Sequence, residues 1–146
     1  MTTIEHILTG LARRKDTASS TIACLYTGTN MPPFCEPMMR SPEPEIGMDV
    51  DGSLSDFLST ALVVNPSVHD GAIMMGRRSA ENNYQITGWS YRLFPPAAAR
   101  QTEVNRGSAF NSCLAMSSVR NVDRLYLVSN SLFVCFERGH IRHLAR

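Results

Sequence analysis

Five prolines fall within the twenty residues from Gly28 to Gly47, GTNMPPFCEPMMRSPEPEIG. Proline fixes φ and carries no amide donor, so this stretch is closed to a helix or a central strand. It reads as a long surface loop. A loop of that length in a compact domain is either a cover over the core or a surface that faces a partner, with Phe34, Met38 and Met39 as soft contact groups. The regular elements must come from the residues on either side.

Upstream, Ile4, Ile7, Leu8 and Leu11 recur at helical spacing, and Thr2 with Glu5 has the pattern of a capping box. Arg13, Arg14 and Lys15 suit the negative end of that helix. Thr21–Tyr26 then reads as a buried strand. Downstream, Ser53 and Asp56 form an N-cap pattern ahead of an apolar stripe, Leu54, Phe57, Leu58, Ala61 and Leu62. Pro66 ends that helix by excluding helical geometry at Asn65.

The run Ala72–Met75 is a second buried strand, and Gly76–Ser79 is a polar turn. Tyr84–Phe94 is a third strand, stopped by Pro95 and Pro96, and the polar stretch 97–107 leads to a helix over Ser108–Val119. Phe110, Cys113, Leu114 and Ser117 mark the inner face of that helix. Three strands close the chain, Arg124–Ser129, Leu132–Glu137 and His140–Leu144, joined by the two-residue connections Asn130-Ser131 and Arg138-Gly139. The order α-β-loop-α-β-β-α-β-β-β predicts one α/β domain over residues 1–146, a central mixed β-sheet flanked by helices.

A net charge of +1 supplies no bulk attraction to DNA, RNA or an anionic membrane. The sequence holds no apolar run long enough to span a bilayer, and residues 1–6 lack the pattern of a signal peptide. A cytoplasmic location is the expectation. Cys24, Cys35, Cys113 and Cys135 are too scattered for a zinc knuckle or a redox pair and read as buried or incidental thiols. His140 and His143 lie three apart on a strand, on opposite sides, and are expected to be exposed. Trp89 and Tyr91, two apart, are expected to share a face, as core or as a stacking platform.

The chemistry concentrates at His69-Asp70-Gly71-Ala72, between a helix and a strand. Asp70 can offer a carboxylate to Mg²⁺ or Mn²⁺ and His69 an imidazole to the softer ion. Gly71 and Ala72 let a ligand approach the backbone. Asp-Gly is equally a common turn dipeptide, and on spacing alone the turn is the stronger reading.

The helix, NPSVHDGAIMM, a strand ending in YRLFPP, the helix RGSAFNSCLAMSS and the strand LYLVSNS together resemble the diadenylate cyclase (DAC, DisA N-terminal) domains. The resemblance implies a nucleotide-binding domain in which two facing protomers join two ATP molecules into cyclic di-AMP. It further implies that the motif aspartate works with a metal on the attacking 3′-hydroxyl, and that an Arg-His-Arg cluster holds the triphosphate. Carried onto this chain, it assigns ligand contacts to His69, Asp70, Gly71, Ala72, Tyr91, Gly107, Ser108 and Ser129. His69 and Asp70 would be metal contacts, and Asp70 the catalytic residue if the domain is active. Tyr91 would stack on a base.

The departures from that pattern alter the expected function. Where the family has Arg-His-Arg, this chain has Ala109, Phe110 and Asn111, and Asn130 and Ser131 replace two acids. That stretch has no cation to neutralise a triphosphate, so efficient cyclase activity is not expected. The expectation is a nucleotide-binding sensor that recognises a nucleotide or cyclic nucleotide and controls a separate effector or a homo-oligomer. Asn111 would offer an amide in place of the arginine fork. The alternatives are a metal-dependent nucleotidyltransferase or weak cyclic-dinucleotide synthase, and a protein-interaction module. Phe110 discriminates in part, since a ring turned into the core would fill the old phosphate site.

Overall fold

The computed structural model describes residues 2–13, 20–96, 106–129 and 131–144. Helix α1 spans Thr3–Ala12 and starts with both arms of its capping box: Glu5 N–H donates to Thr2 Oγ1 and Thr2 N–H to Glu5 Oε1, each at 3.2 Å. Arg13 is its C-cap, while Arg14 and Lys15 lie outside the described residues. Helix α2 spans Leu54–Val64 and buries Leu54, Leu58 and Ala61. The box expected at Ser53 and Asp56 does not form. Ser53 makes no side-chain cap, and its own N–H donates to Asp51 Oδ1 at 2.8 Å. Asp51 satisfies the chain one step earlier, a substitution that residue type alone does not distinguish. Helix α3 spans Ser108–Met116, three residues shorter than expected.

The strands are β1 (Thr21–Thr27), β2 (Cys35–Pro37), β3 (Ala72–Arg77), β4 (Gln85–Leu93), β5 (Val122–Val128), β6 (Phe133–Glu137) and β7 (His140–His143). They form one mixed sheet in the order β2-β4-β3-β1-β5-β6-β7, parallel only between β1 and β3. A single α/β domain with a helix-flanked mixed sheet is what the element order predicted. One side packs α1 and α2 with Leu25, Met75, Ile86 and Trp89. The other packs α3 with Cys24, Met74, Leu127 and Phe136. The apolar runs at residues 22–25 of β1 and 72–75 of β3 follow from this, since both of their faces are covered.

The proline-rich segment is more than a loop. Cys35–Pro37 pairs antiparallel with Tyr91–Leu93 as the edge strand β2. Farther on, Gly47 N–H donates to Ile86 O at 2.7 Å and Val50 N–H to Tyr84 O at 2.9 Å. Between these points Trp89 Nε1 donates to Glu45 O at 2.8 Å, and Asn65 Nδ2 to Pro42 O at 3.1 Å. The segment is a strap along the outer side of β4. Proline is suited to it, because an edge strand has one side whose amides need no partner.

Strand β4 is irregular, with two register shifts against β3. Ser90 has φ +62°, uncommon for a residue other than glycine. Trp89 and Tyr91 therefore do not share a face: Trp89 joins the α1/α2 core and Tyr91 the α3 core. The Tyr91 ring lies over Gly88, where a Cβ would stand 2.3 Å from Cε1. The stacking platform expected from regular alternation is absent because the strand bulges between the two rings.

Candidate functional site

Asn65 ends α2 and opens a 3-10 turn, Pro66–His69, with its Oδ1 accepting from Ser67 N–H at 3.1 Å. Asp70 and Gly71 follow immediately before β3. Gly71 has φ +88°, and a Cβ there would stand 2.7 Å from the Met38 methyl and 2.9 Å from Tyr91 O. Only glycine fits. The Asp70 carbonyl accepts the Ser90 hydroxyl at 2.5 Å, so the bulge of β4 fixes the turn that carries the carboxylate. Ser90 is fully buried, whereas the Asp70 side chain is 71% exposed. The carboxylate is thus rigid at its root and open at its tip.

Arg40, from the strap, is the residue that meets it. Its Nε donates to Ser90 Oγ at 2.9 Å, and its Nη2 stands 3.9 Å from Asp70 Oδ2. Sequence reasoning missed Arg40, which lies thirty positions upstream in a stretch read as a loop. Its only signal was a lone cation among prolines.

The sheet register shows which other residues share this end. Tyr91 pairs with Ala72, Ala72 with Ile22, and Ile22 with Leu127. Asp70 precedes β3 and Ser129 follows β5 on either side of β1, roughly 10 Å apart at two strand spacings. Helix α3 packs on β5 and runs into it through residues 117–121, so its N-terminus points to the same end. Gly107 is the N-cap residue and supplies no side-chain cap, and Ser108 is exposed. Asn111 is half-buried, and its Nδ2 donates to Arg106 O at 3.4 Å.

Other expected contacts have structural duties. Ala72 is fully buried in the α3 core. The His69 Nδ1 lies 2.8 Å from Pro66 O, turned back on its own 3-10 turn. Ser129 Oγ accepts from Leu132 N–H at 3.0 Å and so builds the β5–β6 connection. Asn130 lies outside the described residues. Phe110 is turned inward, its ring edge-to-face with Phe136 at 4.9 Å, and Arg106 covers it at 4.6 Å. The position that the resemblance gives to a phosphate-binding cation is filled by core.

The donor set here does not fit a protein-held Mg²⁺ or Mn²⁺. A guanidinium beside the single carboxylate opposes a second cation, and His69, whose Nε2 stays open, is the one other metal-ligating side chain in this turn. No group of three or more His, Cys, Asp or Glu suited to a metal occurs among the described residues.

These features define an α/β domain with a polar cradle at the entry to β3. No protein-family profile matches the sequence, and no curated protein matches it. Solved structures do. One is a hypothetical membrane spanning protein from Bacillus cereus, at TM-score 0.65 and 15% identity, covering 99% of this chain. The chain spans 62% of that protein's length. Another is the diadenylate cyclase DacA from Staphylococcus aureus (an N166C/T172C double mutant), at TM-score 0.55 and 12% identity, covering 99% of this chain and 85% of DacA. The chain is similar in fold to both: a single α/β domain with a helix-flanked mixed sheet. No helix among the described residues is long and apolar enough to cross a membrane.

Proposed function

We propose that this chain is a nucleotide-binding domain that uses the Asp70 end of the sheet to recognise a nucleotide or cyclic nucleotide, and that it acts as a sensor for an effector rather than as an efficient cyclase. The observation that carries the reading is the Asp70–Ser90–Arg40 cradle. The exposed Asp70 carboxylate, on a backbone that Ser90 anchors, stands beside a guanidinium that the strap delivers. With the α3 cation positions occupied by Ala109, Phe110 and Asn111, Arg40 is the cation that stands beside Asp70, a fork suited to one phosphate or a phosphodiester. Asp70 and the amides at the α3 N-terminus would take ribose or base groups, and Tyr91 would bear on the base. A divalent cation would enter only on the ligand's own phosphates.

Calorimetry against ATP, cyclic mononucleotides and cyclic dinucleotides, with and without Mg²⁺, tests this directly. One ligand class should bind, with affinity reduced at least tenfold by Arg40→Ala and by Asp70→Ala. A blank across the panel would sink the proposal and leave an interaction module. Incubation with ATP and Mn²⁺ should give no cyclic di-AMP, and robust product would favour the cyclase alternative.

A further inference from the structure

The opposite end of the sheet, at the carboxyl ends of the parallel pair β1 and β3, carries a polar cleft of about 490 Å³ that the reading above does not use. Carboxyl ends of parallel strands are where open α/β sheets leave a crevice for ligands. We infer that this cleft is a separate binding site for a small phosphorylated sugar.

Three observations support that class of ligand. First, the floor is fixed. The Tyr26 ring lies over Gly76, where a Cβ would stand 2.4 Å from Cζ, and its hydroxyl donates to Thr87 Oγ1 at 2.9 Å. Arg77 is held by Thr27 (2.9 Å), by Asp123 (3.9 Å) and over the Tyr84 ring (4.4 Å). The turn after β3 is braced by Asn82, whose Oδ1 accepts from both Ser79 N–H (3.2 Å) and Ser79 Oγ (2.9 Å).

Second, polar groups line this fixed frame without protein partners. Arg78, Asn83 and Thr29 make no side-chain hydrogen bond or ion pair among the described residues, and the Asn82 amide NH₂ has no acceptor there. An exposed guanidinium beside amide donors is suited to a phosphate.

Third, the donors and acceptors are spread across the strands. The strap, β4, β3 and β1 lie side by side here, with Asp49 bridging Gln85, Gln85 pairing Gly76 and Gly76 pairing Tyr26. Three strand spacings give a cleft about 14 Å across. The arginines and Thr29 belong to its β1/β3 side. Asp49 and Gln85, bonded at 3.1 Å with acceptor oxygens to spare, belong to its strap side. A ligand with an anion at one end and hydroxyl donors at the other matches that order.

The test uses ¹H–¹⁵N spectra of the full chain titrated with ribose 5-phosphate, inorganic phosphate and ribose. Saturable shifts at Thr29, Arg78 and Asn83 are expected with ribose 5-phosphate, at an affinity at least tenfold above that for phosphate. Arg78→Ala, at an exposed and unpaired side chain, should abolish them without moving the spectrum at Asp70 and Ser90. Asp49→Asn should weaken ribose 5-phosphate several-fold and leave phosphate unchanged. No saturable shift, equal affinity for phosphate alone, indifference to Arg78→Ala, or shifts confined to the Asp70 end would each overturn the inference.

Discussion

Asp70 is secured through its backbone, and the glycine after it makes that possible. Gly71→Ala would force a side chain into φ +88° and into the carbonyls of β4. A loss of about 2 kcal/mol or more is expected in urea denaturation. Glu5 is the other residue with a large local effect. It is fully buried, yet it accepts from Arg142 Nη2 at 2.8 Å, from the Tyr126 hydroxyl at 2.9 Å and from Thr2 N–H. The Arg142 guanidinium outweighs the cost of burial and holds its carboxyl down to about 2. A depressed acid stabilises the fold above its unfolded value near 4.3 and loses that contribution as pH falls toward 2. Glu5→Gln should therefore cost on the order of 2–3 kcal/mol at pH 7. The gap in urea midpoints between the two proteins should narrow steadily from about pH 5 to pH 2. A gap independent of pH would assign the loss to packing.

At the scale of elements, the helices and inner strands were legible in the sequence because their signals are local. The Leu8/Leu11 and Leu54/Leu58/Ala61 faces repeat at helical spacing, and β1 and β3 are apolar on both faces. Features that depend on distant partners were not legible. The β2 strand is three residues long, and its partner lies more than fifty positions away. The bulge at Ser90 reverses the expected alternation of Trp89 and Tyr91, and nothing in the tripeptide announces a positive φ there. The site divides the same way. The Asp70-Gly71 turn was visible as a motif, whereas Arg40 was not, because only the strap's path brings it near. That path is testable through Trp89→Phe, which deletes the indole bond to Glu45 O. Stability should fall by about 1 kcal/mol. Amide exchange at Gly47 and Val50 should quicken while β1 and β3 keep their protection.

For the molecule as a whole, the four thiols report how tightly the two cores close. All four cysteines are free; Cys24, Cys113 and Cys135 are buried and Cys35 is half-buried, its Sγ donating to Pro32 O at 3.2 Å. Burial pushes the thiol of Cys35 up to about 11 and that of Cys113 up to about 12, and raises those of Cys24 and Cys135 as well. A thiol-reactive dye at pH 8 should label one cysteine slowly in the folded protein and four in urea. Prompt labelling of two or more would mean that a core opens readily.

The Glu5 carboxylate reaches partners 121 and 137 positions further along the chain. Closing so long a loop costs more chain entropy than any local contact, so this tie is expected to form after the rate-limiting barrier. Breaking it should leave the folding arm of a chevron plot nearly unchanged and raise the unfolding arm with its slope unaltered. The contact between α1 and β7 then acts as a late-closing latch: it sets how long the finished protein lasts, not how fast it forms.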